Sequence, residues 1–153
     1  MESKIKIPTE TITSLPDYLE YVASQSTGER NVLFRGHTES PWKLEPKIAR
    51  LDLRKRFSLQ SAEKEMLRDF KRQALPYISH NFKDDWDWLA LAQHHGLPTR
   101  LLNWTTNALV ALWFAVEKPA KTKTDGAVWI FLGEPNDYVD EDKYLIHLPS
   151  REH

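Results

Sequence analysis

The chain contains no cysteine and only five glycines in 153 residues. Without thiols it can form no disulfide, no thiolate metal site and no cysteine nucleophile, and this composition fits a reducing, cytoplasmic setting. The few glycines fall into neither the GxGxxG nor the GxxxxGK[ST] phosphate-loop pattern, and there is no GxSxG nucleophile elbow. A standard dinucleotide domain and a standard serine hydrolase are thereby disfavoured. Net charge is also missing: 21 basic residues stand against 22 acidic ones, for a formal charge of −1. The chain therefore lacks an overall electrostatic footprint for nucleic acid. No apolar run approaches the roughly 20 residues a bilayer requires, and the N-terminus carries no apolar segment of the secretory kind.

What the chain does have is aromatic mass, with six Trp, six Phe and five Tyr. Some of these rings belong in a core, and a minority can stack on a planar ligand. A chain of this length suits a single domain over residues 1–153, with its core at about 30–133. Six histidines, His37, His80, His94, His95, His147 and His153, show no HExxH spacing and have no cysteine partner, so no metal site is expected.

The most organised stretch runs from Gln93 through Asn107 into nine consecutive apolar residues, 108–116. Thr106 or Asn107 can cap the helix that these nine form. Being apolar on every side, that helix is expected to be buried and central. Upstream, Ser14-Leu15-Pro16-Asp17 has the order of a helix start, giving a helix over about 14–27 with Leu15, Leu19 and Val22 on one side and Gly28 near its end. A strand is expected over Asn31–His37, halting at Arg35-Gly36.

Residues 58–79 read as an amphipathic helix with Leu59, Ala62, Met66, Phe70, Gln73 and Tyr77 on its inner stripe and Pro76 ending or kinking it. Asp84 or Asp85 caps a further helix that stops at Gly96, which places His94 and His95 in its last turn. A short strand is expected over 99–103. The clearest strand is 127–132, apolar enough for burial on both sides. Tyr144-Leu145-Ile146-His147-Leu148 is a further strand candidate. Basic residues gather between 47 and 56, including Arg50, Arg54, Lys55 and Arg56, but Asp52 interrupts them and a solvated face is the simpler reading.

Chemistry concentrates in Arg35-Gly36, the segment Arg100, Asn103, Trp104 and Thr105, and the nearby His94 and His95. A guanidinium at a strand end offers forked donors to a phosphate or carboxylate, and a neighbouring glycine lets a ligand approach the backbone. Trp can stack on a base, while Asn and Thr can read polar edges. These residues compose a nucleotide pocket or, equally, a polar network that pins two elements together.

Phe34-Arg35-Gly36-His37, the segment Trp42-x-Leu44-x-Pro46-x-x-x-Arg50, and above all the block from Ala92-Gln93-His94-His95-Gly96-Leu97-Pro98-Thr99-Arg100-Leu101-Leu102-Asn103-Trp104-Thr105 through Phe114-Ala115 resemble the FRG domain, named for its Phe/Tyr-Arg-Gly motif. The resemblance covers about 32–132. It implies a protein of bacterial or phage-associated context.

A second resemblance is to ADP-ribosyltransferase folds. In these a strand-end Arg, often followed by Gly, holds NAD; a second strand ends in a small polar motif; and a helix with an Ala-x-x-Phe-Ala pattern leads into another strand. Arg35-Gly36, Asn103-Trp104-Thr105, Ala111 to Ala115 and 128–132 occur in that order. The expected fold is then α+β, a small mixed sheet flanked by several helices, as a partial ADP-ribosyltransferase-like fold.

This likeness implies NAD as ligand, with Arg35, Gly36, His37, His95, Arg100, Asn103, Trp104 and Thr105 around it. It also implies a catalytic Glu on a later strand. Glu134 and Glu141 fall early for that role and Glu152 sits at the terminus, so the chain reads as a truncated domain, a binding-only form or a half-site completed by another subunit. The leading expectation is an NAD- or nucleotide-binding module in a toxin or defence component. A protein-interaction scaffold, with a protein partner or a second copy, is the first alternative, and nucleic-acid binding through 47–56 the second.

Overall fold

The computed structural model describes residues 7–26, 30–52, 58–79, 82, 84–118 and 124–133. The strand candidate at 144–148, Glu134, Glu141, Glu152, the basic residues 54–56 and Gly28 lie outside them. The chain divides into two compact units, one formed by Met1–Ser40 with Trp104–His153 and the other by Pro41–Asn103. Among the described residues the secondary structure is α+β: four α-helices and a two-stranded antiparallel sheet.

In the first unit, helix α1 (Leu15–Gln25) starts where Ser14 accepts a hydrogen bond from the Asp17 amide. Its buried residue is Tyr18, whose hydroxyl donates to the Ala108 carbonyl at 2.8 Å. Burial pushes the Tyr18 phenol above its ordinary pKa. Leu15 and Leu19 share a face as expected, but that face is exposed. A phenol carrying one polar atom has won the inward position because a carbonyl is there to receive it.

Strand β1 (Asn31–His37) pairs antiparallel with β2 (Ala127–Gly133), placing Asn31 opposite Gly133, Arg35 opposite Trp129 and His37 opposite Ala127. On the other edge of β1, Phe34 exchanges both backbone hydrogen bonds with Thr105, at 2.7 and 2.9 Å. The short strand expected over 99–103 is absent; this single bridge at Thr105 takes its place. β2 is also not buried on both sides, since Phe131 and Leu132 are exposed.

Helix α4 (Ala108–Val116) is capped by Asn107, whose side-chain oxygen accepts from the amides of Leu109 and Val110. It lies on one face of the sheet through Ala111 and Ala115, both buried. The contact is backbone to backbone. A Cβ added to Gly36 would meet the Ala111 carbonyl oxygen at 2.0 Å, and one added to Gly126 the Ala115 oxygen at 2.5 Å. The expectation of a helix buried on every side is overturned: Leu109, Val110, Trp113, Phe114 and Val116 are exposed. A nine-residue helix on a two-stranded sheet has one side in contact, and here small residues take it because only they allow so close an approach.

In the second unit, a 3-10 turn (Lys47–Arg50) precedes α2 (Leu59–Ala74), which Ser58 caps through the Ser61 amide. A second 3-10 turn at Leu75–Tyr77 ends α2 at Pro76, as proline without an amide hydrogen dictates. The buried side of α2 holds Ala62, Glu63 and Leu67, while Leu59 and Tyr77 are exposed, so the inner stripe is rotated from the expected one. Helix α3 (Asp85–His94) begins at Asp84, which accepts from the amides of Trp86 and Asp87. It ends in a Schellman turn: Gly96 at φ +90°, its amide on Gln93 and the Leu97 amide on Ala92. Leu67, Leu89 and Ala92 form the core here, with Phe70, Trp86, Trp88, Leu97 and Leu101 around them. Among the described residues no helix is long and apolar enough to cross a membrane.

Candidate functional site

Side chains alternate along a strand, and directly opposed residues of an antiparallel pair share a face. Gly36 faces α4, so Phe34 does too, and Arg35 and His37 project from the opposite face. Trp129 lies there with Arg35, and Phe131, opposite Leu33, extends the same row. The register therefore gathers a guanidinium, an imidazole and two large rings on the sheet face away from α4.

These groups are bonded to one another. Arg35 Nε donates to His37 Nε2 at 3.1 Å, and Trp129 Nε1 donates to His37 Nδ1 at 3.2 Å. The His37 and Trp129 rings meet edge-on, their centroids 6.2 Å apart. A neutral imidazole accepts through one nitrogen only, so the two donors compete through its tautomer: with Nε2 bare His37 accepts from Arg35, and with Nδ1 bare it accepts from Trp129. His37 is buried and Arg35 half-buried, so this competition takes place where water screens it little. In the tautomer with Nε2 bare, His37 orients the guanidinium through its Nε, and Arg35 stands on a strand rather than on a loop.

Trp104 joins the same surface, its ring centroid 6.1 Å from that of Phe131. Thr105 is adjacent in sequence, but its pairing with Phe34 turns it toward α4, and its hydroxyl oxygen accepts the Asn107 amide at 3.1 Å. It thus organises the entry to α4. Gly36 likewise admits the α4 backbone. The ligand-approach reason for that glycine gives way to close helix packing.

The remaining expected site residues belong to the second unit. Arg100 is engaged by Glu63: its amide donates to one carboxylate oxygen at 2.6 Å and its Nε to the other. Glu63 is 2% exposed, so this carboxylate is a buried charge satisfied by one residue's main chain and side chain together. The polar-network reading describes Arg100. His95 is the exposed C-cap of α3, its ring 6.1 Å from that of Phe70 and 5.4 Å from that of His94. Asn103 is exposed. Lys47 donates to the Gly96 carbonyl at 2.7 Å, closing the C-terminal turn of α3. No group of three or more His, Asp or Glu among the described residues is placed to hold a metal ion.

Sequence patterning does not mark Trp129, Phe131 or Glu63 as site or network residues. Trp129 and Phe131 occur at the two-residue spacing of one strand face, but only the pairing register reveals that the face is Arg35's. Glu63 had a signal of its own, as an acid next to Ala62 and four residues before Leu67 on an otherwise apolar helix side.

Fold and site together define a small α+β chain that carries an anchored arginine and a row of aromatic rings on one sheet face. The chain belongs to the FRG domain family, whose family model matches residues 30–124, more than half of its length. That match spans residues of both compact units. No curated protein and no solved structure matches the chain.

Proposed function

We propose that this FRG domain is a nucleotide-binding module of ADP-ribosyltransferase type, with NAD as its ligand, acting in a toxin or defence setting. The observation that carries the reading is the sheet face opposite α4, where Arg35 is held by His37 beside Trp129 while Phe131 and Trp104 continue the row. A dinucleotide needs a fixed cation for its pyrophosphate and flat apolar surface for its rings, and this face offers both. In this reading Arg35 clamps phosphate, His37 orients the clamp, and Trp104 stacks on a ring. No catalytic acid is assigned.

The test is a calorimetric NAD titration of the full chain against Arg35→Ala. Saturable binding is expected, weakened on the order of 10-fold to 100-fold by the substitution, as for loss of a charge-assisted hydrogen bond. A folded wild-type chain that takes up no NAD refutes the proposal. The interaction-scaffold reading would then lead, supported by the Arg100 clamp on buried Glu63. Nucleic-acid binding has less support, because Lys47, at the start of the basic stretch, is spent on the Gly96 carbonyl.

A further inference from the structure

We propose that the outward face of α4 is a self-association surface, on which α4 of one copy packs antiparallel against α4 of a second copy about a two-fold axis. The helix has no charged or polar residue between its Asn107 cap and Glu117. Its inward side is fully used, Ala111 being 0% exposed against the sheet. Its outward side leaves Leu109 at 50%, Val110 at 40%, Trp113 at 55%, Phe114 at 47% and Val116 at 65%. Trp113 and Phe114 hold each other edge-on with centroids 5.0 Å apart, which makes a preformed aromatic block.

Area and charge favour a second copy. With aromatic side chains at about 200 Å² and aliphatic ones somewhat less, this face exposes on the order of 500 Å². Two copies would cover at most about 1,000 Å², the lower edge of specific interfaces, which fits a weak dimer. A distinct protein partner is ordinarily selected by charge pattern, and this face has none to select with. A two-fold contact requires only that the face fit itself. A helix lying in a lipid surface carries Lys or Arg along a polar side, which α4 lacks.

Sedimentation velocity of the full chain from about 1 to 100 µM tests this, a range that brackets a micromolar dimer. The expected result is a dimer fraction that rises with concentration. Trp113→Glu should weaken it on the order of 30-fold or more, as loss of a central Trp anchor does, with the far-ultraviolet spectrum unchanged. Because the chain has no cysteine, Val110→Cys introduces a single thiol near the two-fold axis, and oxidation should cross-link it faster than Glu65→Cys on the exposed side of α2. That comparison decides the matter even if Trp113→Glu fails to fold. A wild-type chain that is monomeric throughout, whether or not it binds vesicles, overturns the proposal. So does a dimer indifferent to Trp113→Glu, or equal cross-linking of the two thiols.

Discussion

Gly36→Ala isolates the contact on which the first unit is built. The added methyl carbon would sit 2.0 Å from the Ala111 carbonyl oxygen and 2.8 Å from the Ala115 amide nitrogen. Ordinary contact begins near 3.4 Å, so α4 would have to retreat by more than 1 Å or the strand would have to bend. Neither yields cheaply, since the clashing atoms are helix backbone already committed to hydrogen bonds. Overpacking a fitted interior costs about 1–3 kcal/mol, and this case belongs at the upper end. For a chain of about 150 residues, 3 kcal/mol lowers Tm by roughly 6–12 °C. Thermal unfolding followed by circular dichroism measures it. Ala111→Gly in the same chain should not rescue the loss, because the obstruction is the Ala111 carbonyl rather than its methyl group. A Gly36→Ala protein within about 0.5 kcal/mol of wild type, the range of an ordinary surface substitution, would refute the packing argument.

Glu63→Ala removes the carboxylate to which both the amide and the side chain of Arg100 are bonded, leaving a half-buried guanidinium without it. Because Arg100 is about a third exposed, a loss of about 2–3 kcal/mol is expected, below the range for a wholly buried pair, and urea unfolding reads it. Tyr18→Phe loses the bond to the Ala108 carbonyl, for about 1 kcal/mol at neutral pH. The same residue gives a pH effect whose sign is fixed. The folded chain binds the phenolic proton more tightly than the unfolded chain does, so this stability is complete below about pH 10 and is lost as pH rises from there through the raised folded value. Wild type should therefore show an alkaline decline that Tyr18→Phe lacks; identical pH profiles would count against the buried phenol.

Local chemistry made much of the fold readable. Asp84 before α3, Gly96 after it and Asn107 before α4 each satisfy backbone groups within a few residues, and the apolar run Val32–Phe34 locates β1, although the strand does not halt at Arg35-Gly36 but pairs on through both to His37. What could not be read was which side of each element faces inward. On α2 the buried stripe keeps Ala62 and Phe70 but turns to take in Glu63 and Leu67, and a buried acid could not be foreseen because its partner Arg100 lies 37 residues away. On α4 every side was apolar, so hydrophobicity gave no preference, and the deciding feature was a glycine on another strand. Of the site, Arg35, His37 and Trp104 were legible as residue types suited to a nucleotide. Trp129 and Phe131 depended on a pairing register that no local pattern encodes.

The reciprocal bonds between Phe34 and Thr105 make the register of this bridge a matter of parity. Thr105 turns toward α4, and Trp104, one residue earlier, meets Phe131 on the opposite face. Moving the bridge by one residue, so that Trp104 or Thr106 stood opposite Phe34, would exchange those destinations and take the indole off the arginine's face with the composition unchanged. A slip of two residues would keep each side chain on its own face. The pairing at this bridge should therefore tolerate slips in even steps and resist odd ones, whereas length changes in the irregular chain at 99–103 leave both destinations as they are.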